Sequence, residues 1–232
     1  RALAVIASAL GVSTVAPFLA AVCASQKSWE ARHSGLKAVQ QIALLLGAGV
    51  LPHLRALVSA AQGGLSDENS KVRCMSALAL SALAEAACPY GLDAFDSALR
   101  PLWEGVRTQR GKPLAAFLKA VGFVVALMSP QHAAIYAKPV LEVVAREFAT
   151  ADEEMRRIVL RVARQLVSCE ALDAAYIRTH VLHPFATVFW ARRSALESRV
   201  STEVVETTAV LALRVGQEEV LGCVCAALKD ES

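Results

Sequence analysis

Apolar residues recur along this chain at three- and four-residue intervals, in stretches several helical turns long that are separated by short polar or Gly/Pro breaks. Sustained alternation of apolar and polar positions, the mark of a half-buried strand, is absent, so the pattern predicts helices throughout. The clearest stretch opens at Asp67-Glu68-Asn69-Ser70, a start signal with acids near a helix N-terminus, and runs as an Ala/Leu-rich helix to about Ala87. Pro89-Tyr90-Gly91 turns the chain, and Leu92 to Arg107 supplies a second helix in which Pro101 is tolerated as a kink. Small side chains in Cys74 to Ala87 suit close approach between stacked helices.

This helix pair repeats. Prolines followed by apolar residues stand at Pro17, Pro52, Pro101, Pro139 and Pro184, separated by 35, 49, 38 and 45 residues. A steadier landmark is an arginine near the start of the other helix, at Arg32, Arg73, Arg156 and Arg199, with steps of 41, 83 and 43 residues. Halving the long step places a further unit at Leu114, just after Gly111-Lys112-Pro113. A period near 40 with two helices per unit predicts an all-α fold, an α-solenoid of HEAT repeats: antiparallel helix pairs wound into a right-handed superhelix. The expected organisation is a single solenoid segment over 1–232, with repeats at 1–27 (partial), 28–66, 67–109, 110–150, 151–190 and 191–232.

The run Ala2 to Gln26 carries no charge, which invites a membrane reading. Gly11, Ser13, Thr14 and Pro17 divide it into short pieces, and the expectation is the end of one helix and the whole of the next, buried between stacked units. A start at Arg1, without a methionine or a basic leader, predicts a piece of a longer protein with no membrane partner. Composition agrees with an Ala/Leu/Val core: 55% of residues are hydrophobic, only 6% aromatic and 19% charged. The net charge of +3 is too mild for bulk capture of nucleic acid, so any polyanion contact must be local. Six cysteines without a C-x-x-C pair fit buried reduced thiols of a nuclear or cytosolic protein.

Signatures of catalysis are lacking. No phosphate-binding glycine loop, zincin helix or hydrolase elbow occurs, and neither a catalytic residue nor a cofactor is expected. His180 and His183 share a helical face, but no second ligand cluster accompanies them, so they read as ordinary capping or half-buried histidines rather than a metal site. Asp152-Glu153-Glu154 opens a helix, where negative charge complements the dipole. Trp29, Trp103 and Trp190 read as core anchors.

The basic residues taken in repeat phase carry more information. Two places before each anchor stand Glu30, Lys71, Lys112, Glu154 and Glu197; five places after it stand Lys37, Leu78, Lys119, Arg161 and Val204. The two offsets differ by seven residues, so they fall within about 20° of each other around a helix. Stacking equal phases would align Lys37, Lys71, Lys112 and Lys119 as a cationic stripe. Two readings fit it: a track for a phosphate backbone, and a solvated face that keeps the stack soluble.

Ser28-Trp29-Glu30-Ala31-Arg32-His33-Ser34-Gly35-Leu36-Lys37 with Val39-Gln40-Gln41-Ile42-Ala43 resembles the HEAT-repeat region of the largest subunit of splicing factor 3b. Lys71-Val72-Arg73, Ala82 to Ala86 with Pro89-Tyr90-Gly91, Phe95 to Trp103, Arg110-Gly111-Lys112, Ala115 to Gly122 and Asp152 to Met155 continue the match. It is close over residues 1 to 170 and looser over 171 to 228, and Ala20, Ala24 and Gln26 stand where the family is expected to carry lysines. The resemblance implies a nuclear, non-enzymatic scaffold of the U2 small nuclear ribonucleoprotein in pre-mRNA splicing, which supports the intron branch-site region during spliceosome assembly. Implied partners are the pre-mRNA intron near the branch site, other splicing factor 3b subunits and U2 components, and RNA helicases of spliceosome assembly. His33, Lys37, Lys71, Gly111 and Lys112 match positions on the family's intron-facing surface, and Lys119 joins them through the stripe. Arg32 and Arg73 are expected to brace adjacent repeats. The alternatives are a protein-binding HEAT scaffold of the transport-receptor or phosphatase type, and a HEAT-like DNA glycosylase, which would need a carboxylate facing aromatic side chains.

Overall fold

Gly11 breaks the uncharged opening run, its φ of +87° lying where side chains with a Cβ rarely go, so that two helices form in place of one. They are α1 (Ala2–Leu10) and α2 (Val12–Cys23), the latter with Pro17 inside it. The computed structural model describes residues 2–169, 172–191 and 200–229, and no strand occurs among them. Contacts divide the chain into two units, 1–127 and 128–232.

In the first unit, Ser28 accepts from the Ala31 N–H at 3.2 Å and so caps α3 (Trp29–Leu46). A 3-10 segment at Gly47–His53, which contains Pro52, leads into α4 (Leu54–Gln62). Asn69 then caps α5 (Ser70–Ala87), accepting from the Lys71 N–H at 2.9 Å. After the Pro89-Tyr90-Gly91 turn come α6 (Asp96–Thr108), with Pro101 inside it, and α7 (Gly111–Val125), the helix placed by halving the arginine step. Helices α3, α5 and α7 pack side by side as one layer, and α2, α4 and α6 form the other.

Central α5 is covered on both sides within its layer and by α4 across it, which is why Met75 to Ala77, Ala79 to Ala84 and Ala87 are all buried. Burial on so many faces demands small residues: Ser76 donates to the Ala61 carbonyl at 2.6 Å, and the backbone of Gly35 in α3 lies close against Cys23 at the end of α2. Phe95, Phe117, Leu57, Leu80 and Leu102 are fully buried, each worth about 1.5–3 kcal/mol.

The second unit holds α8 (Pro130–Glu147), with Pro139 inside it, and α9 (Glu153–Val167). Asp152 caps α9, accepting from the Glu154 N–H at 2.9 Å and the Met155 N–H at 3.2 Å; this is the structural role expected of that acidic run. Next come α10 (Ala174–Ile177), a π-helical turn at Arg178–Leu182 and α11 (His183–Phe189), then α12 (Ser201–Val215) and α13 (Gln217–Lys229). Pro184 follows the π-helical turn on a continuous helical path, so its missing N–H withholds one backbone donor from the carbonyls of that turn. Phe148, Phe185 and Phe189 form the aromatic core, with ring centroids 5.4–6.2 Å apart. The expected anchor at Arg199 and the residue Glu197 lie outside the described residues.

Two expectations need correction. Not all thiols are buried: Cys23 is, but Cys88, the first residue after α5, and Cys225, on the outer side of α13, are exposed. The acids before α5 do not serve its dipole alone, because Asp67 is drawn to Arg32.

Candidate nucleic-acid interface

The start of α3 brings Trp29 and His33 together, four residues and about one turn apart, with ring centroids 6.4 Å apart and planes at 72°. Lys71, one residue into α5, reaches across the layer and sets its Nζ 5.1 Å from the centroid of the Trp29 ring. An ammonium over an indole face is worth about 0.5–1 kcal/mol at an exposed site, and it holds a flexible lysine in one place. The tryptophan is half-buried rather than a core anchor, because the first turn of α3 sits at the edge of the layer. The Trp29/His33 spacing was visible in the sequence; the lysine that covers the ring came from another helix.

Lys37, exposed one turn beyond His33, completes a cluster of two lysines around an imidazole. Burial, then Lys37 and then Lys71 push the His33 pKa below its ordinary value. Glu30 is tied back by the Ser28 hydroxyl, which donates to its Oε2 at 2.6 Å, and this bond, ahead of Arg32 and Lys71, holds its carboxyl below the usual range.

Lys112 is the second residue of α7, as Lys71 is of α5. The two helix starts lie side by side: Cys74, one turn after Lys71, places its Sγ 4.0 Å from the Lys112 carbonyl oxygen, and Arg73 donates through Nε to Gln109 Oε1 at 3.2 Å. Gly111 begins α7 with φ +58°, and both it and Lys112 are exposed. Lys119 has the register in α7 that Lys37 has in α3, but it is half-buried, and Leu78 stands between them on α5. The six singled-out residues therefore form a row across the helix starts (His33, Lys71, Gly111 and Lys112, with Lys37 one turn on) and a broken second row that ends at Lys119.

In each unit the anchor arginines bind backbone. Arg32 Nη1 donates to the Ser25 carbonyl at 3.0 Å, Arg73 Nη1 to those of Asp67 and Glu68 at 2.7 and 2.9 Å, and Arg156 Nε to that of Thr150 at 2.7 Å. Each guanidinium thus satisfies the carbonyls of the loop before its own helix. Arg32 and Arg73 also clasp side chains at the start of the next pair, Asp67 and Gln109, which is the bracing role expected of them.

His180 and His183 do not converge. His180 stacks on Tyr176, while His183 Nδ1 lies 3.8 Å from Cys223 Sγ, and no group of three potential metal ligands occurs among the described residues. Trp190 donates to Thr208 Oγ1 at 3.1 Å.

No family model matches the chain. An engineered protein shares its fold at 17% identity and a TM-score of 0.64, covering 99% of this chain and 62% of that one. A designed armadillo repeat protein does so at 15% identity and a TM-score of 0.62, covering 92% and 98%. These likenesses establish an all-α repeat solenoid. Over all 232 residues the chain is 53% identical to the U2 snRNP component prp10 of Schizosaccharomyces pombe and 42% identical to the U2 snRNP component HSH155 of Saccharomyces cerevisiae. It spans 19% and 24% of their lengths. All 232 residues of the chain thus align within one segment of these relatives, and the chain matches a piece of the largest subunit of splicing factor 3b.

Proposed function

We propose that this chain is a non-enzymatic scaffold segment of a nuclear U2 small nuclear ribonucleoprotein, and that it supports the intron near the branch site during pre-mRNA splicing. In this reading Lys37, Lys71 and Lys112 meet RNA phosphates, His33 and Gly111 shape the surface between them, and Lys119 lies at its margin. Other splicing factor 3b subunits and RNA helicases of spliceosome assembly are the protein partners.

The observation that carries the reading is the Trp29–Lys71 contact beside His33, Lys37 and Lys112. A cation held against an aromatic face, with further cations on the neighbouring helix start, is an arrangement that tracks a single-stranded backbone. Solubility alone would leave lysines free in solvent and would not fix one over an indole.

The test replaces Lys37, Lys71 and Lys112 with Glu and follows binding of a branch-site oligoribonucleotide across a salt series. Loss of affinity is expected, with a log–log salt slope shallower by about 2, as three lost single-strand phosphate contacts require. Helical signal should stay unchanged, and melting should fall by no more than the few degrees that loss of the Lys71–Trp29 contact accounts for. Equal binding by the triple variant at every salt concentration removes the stripe from the mechanism.

A further inference from the structure

The second unit carries an aromatic–cation surface of its own. Tyr176 in α10 and His180 in the π-helical turn lie face to face, with ring centroids 4.2 Å apart and planes at 15°. Lys138, exposed on α8, sets its Nζ 5.2 Å from the centroid of the Tyr176 ring. Two hydrogen bonds lock the geometry: the Tyr176 hydroxyl donates to the Lys138 carbonyl oxygen at 3.3 Å, and His180 Nδ1 donates to the Tyr176 carbonyl oxygen at 3.1 Å. His180 itself is exposed.

The backbone supplies a second, independent observation. Residues Arg178–Leu182 form a π-helical turn between two α-helical pieces, and His180 sits at its centre. Such turns cost helix stability and concentrate at functional sites. Here the wider turn carries the imidazole that lies flat on the ring of Tyr176.

The geometry points to a binding site for single-stranded RNA in which one base stacks on the exposed face of His180 and the adjoining phosphate meets Lys138. A base stacks on a flat, rigid ring at little entropic cost, and a Tyr–His pair already held in place supplies one. Glu142, one turn beyond Lys138 on α8, repels a second phosphate, so stacking carries this contact and charge contributes a single interaction. The ligand class rests on the RNA-binding reading above; the site and its residues do not.

The test uses the whole chain, a short fluorescein-labelled oligouridylate and its abasic counterpart, with the lysine-row triple variant in parallel. His180→Ala should weaken oligouridylate binding about tenfold while leaving the salt slope unchanged, and His180→Phe, which keeps a stacking ring, should bind like the parent. Lys138→Glu should make the slope shallower by about 0.7. The abasic strand should bind the parent about as weakly as oligouridylate binds His180→Ala. Unchanged binding by His180→Ala, failure of His180→Phe to rescue, or equal binding of the abasic strand overturns the stacking site, including the case in which this surface serves a protein. If only the lysine-row variant loses binding, this site falls and the lysine row stands; if only the His180 variant does, the reverse holds. No binding of either strand by the parent chain overturns both.

Discussion

Arg32 and Asp67, 35 residues apart, meet edge to edge: Nε lies 2.6 Å from Oδ2 and Nη2 lies 3.0 Å from Oδ1. The same guanidinium holds the Ser25 carbonyl, and Asp67 Oδ1 accepts the Asn69 N–H at 2.8 Å, so one ion pair joins two successive helix starts. The Arg32 hydrogen bond, ahead of the Asn69 N–H and the charge of Arg73, holds the Asp67 carboxyl below its ordinary range. A carboxylate with a depressed folded pKa stabilises the fold fully above its unfolded value, and that contribution disappears as pH falls through the folded value. Asp67→Asn should therefore lower the melting temperature by about 2–6 °C at neutral pH and flatten the acid limb of the stability curve. Parallel acid limbs for parent and variant would show that the pair does not join the two starts.

His33 gives a prediction of opposite sense for binding. Burial and the charges of Lys37 and Lys71 hold its imidazole neutral at pH values where a free one would begin to protonate. An RNA phosphate that neutralises those lysines restores the proton, so binding takes up protons. Affinity should strengthen as pH falls from 7.5 to 6, and His33→Gln should remove that dependence. An identical pH profile in both proteins would place His33 away from the bound strand.

Close approach between α2 and α3 depends on Gly35. A Cβ there would lie 2.9 Å from Cys23 Sγ and 3.1 Å from the Cys23 backbone N, and the backbone cannot yield without moving the helix. Gly35→Ala should cost about 1–3 kcal/mol by chemical denaturation, despite the better helix propensity of alanine. A gain in stability would mean that the two helices can separate freely.

The same contact shields Cys23, whose thiol is pushed up to about 11 by burial. Thiolate is the reactive form, so Cys88 and Cys225 should be alkylated in the native chain long before Cys23. Mass spectrometry of a timed iodoacetamide reaction checks this, and equal rates for Cys23 and Cys88 would contradict the burial of the helix interface.

Sequence periodicity reached α3, α5 and α9 because each is built on one amphipathic pattern with its own start signal: Ser28, Asn69 and Asp152 all cap where a short polar residue precedes the apolar run. It reached the register of Lys71 and Lys112 for the same reason, since equal phase means equal position in neighbouring helices. Contacts between helices were hidden. Nothing in the spacing 29 to 71 reveals that an ammonium lies over an indole, and a π-turn leaves no composition signal, so the Tyr176–His180 stack was legible only as two ring residues four apart. The role of Asp67 was only partly legible, because local helix chemistry and a distant arginine share the same carboxylate.

Arg73 grips an amide, Gln109, at the place where Arg32 grips a carboxylate. Protons cannot loosen an amide in the acid range, and salt screens it less than it screens a full charge. As pH falls, the joint between the starts of α3 and α5 therefore weakens while the joint between the starts of α5 and α7 keeps its strength. The first unit has a built-in order of opening, with the tryptophan that holds Lys71 on the side that gives way first.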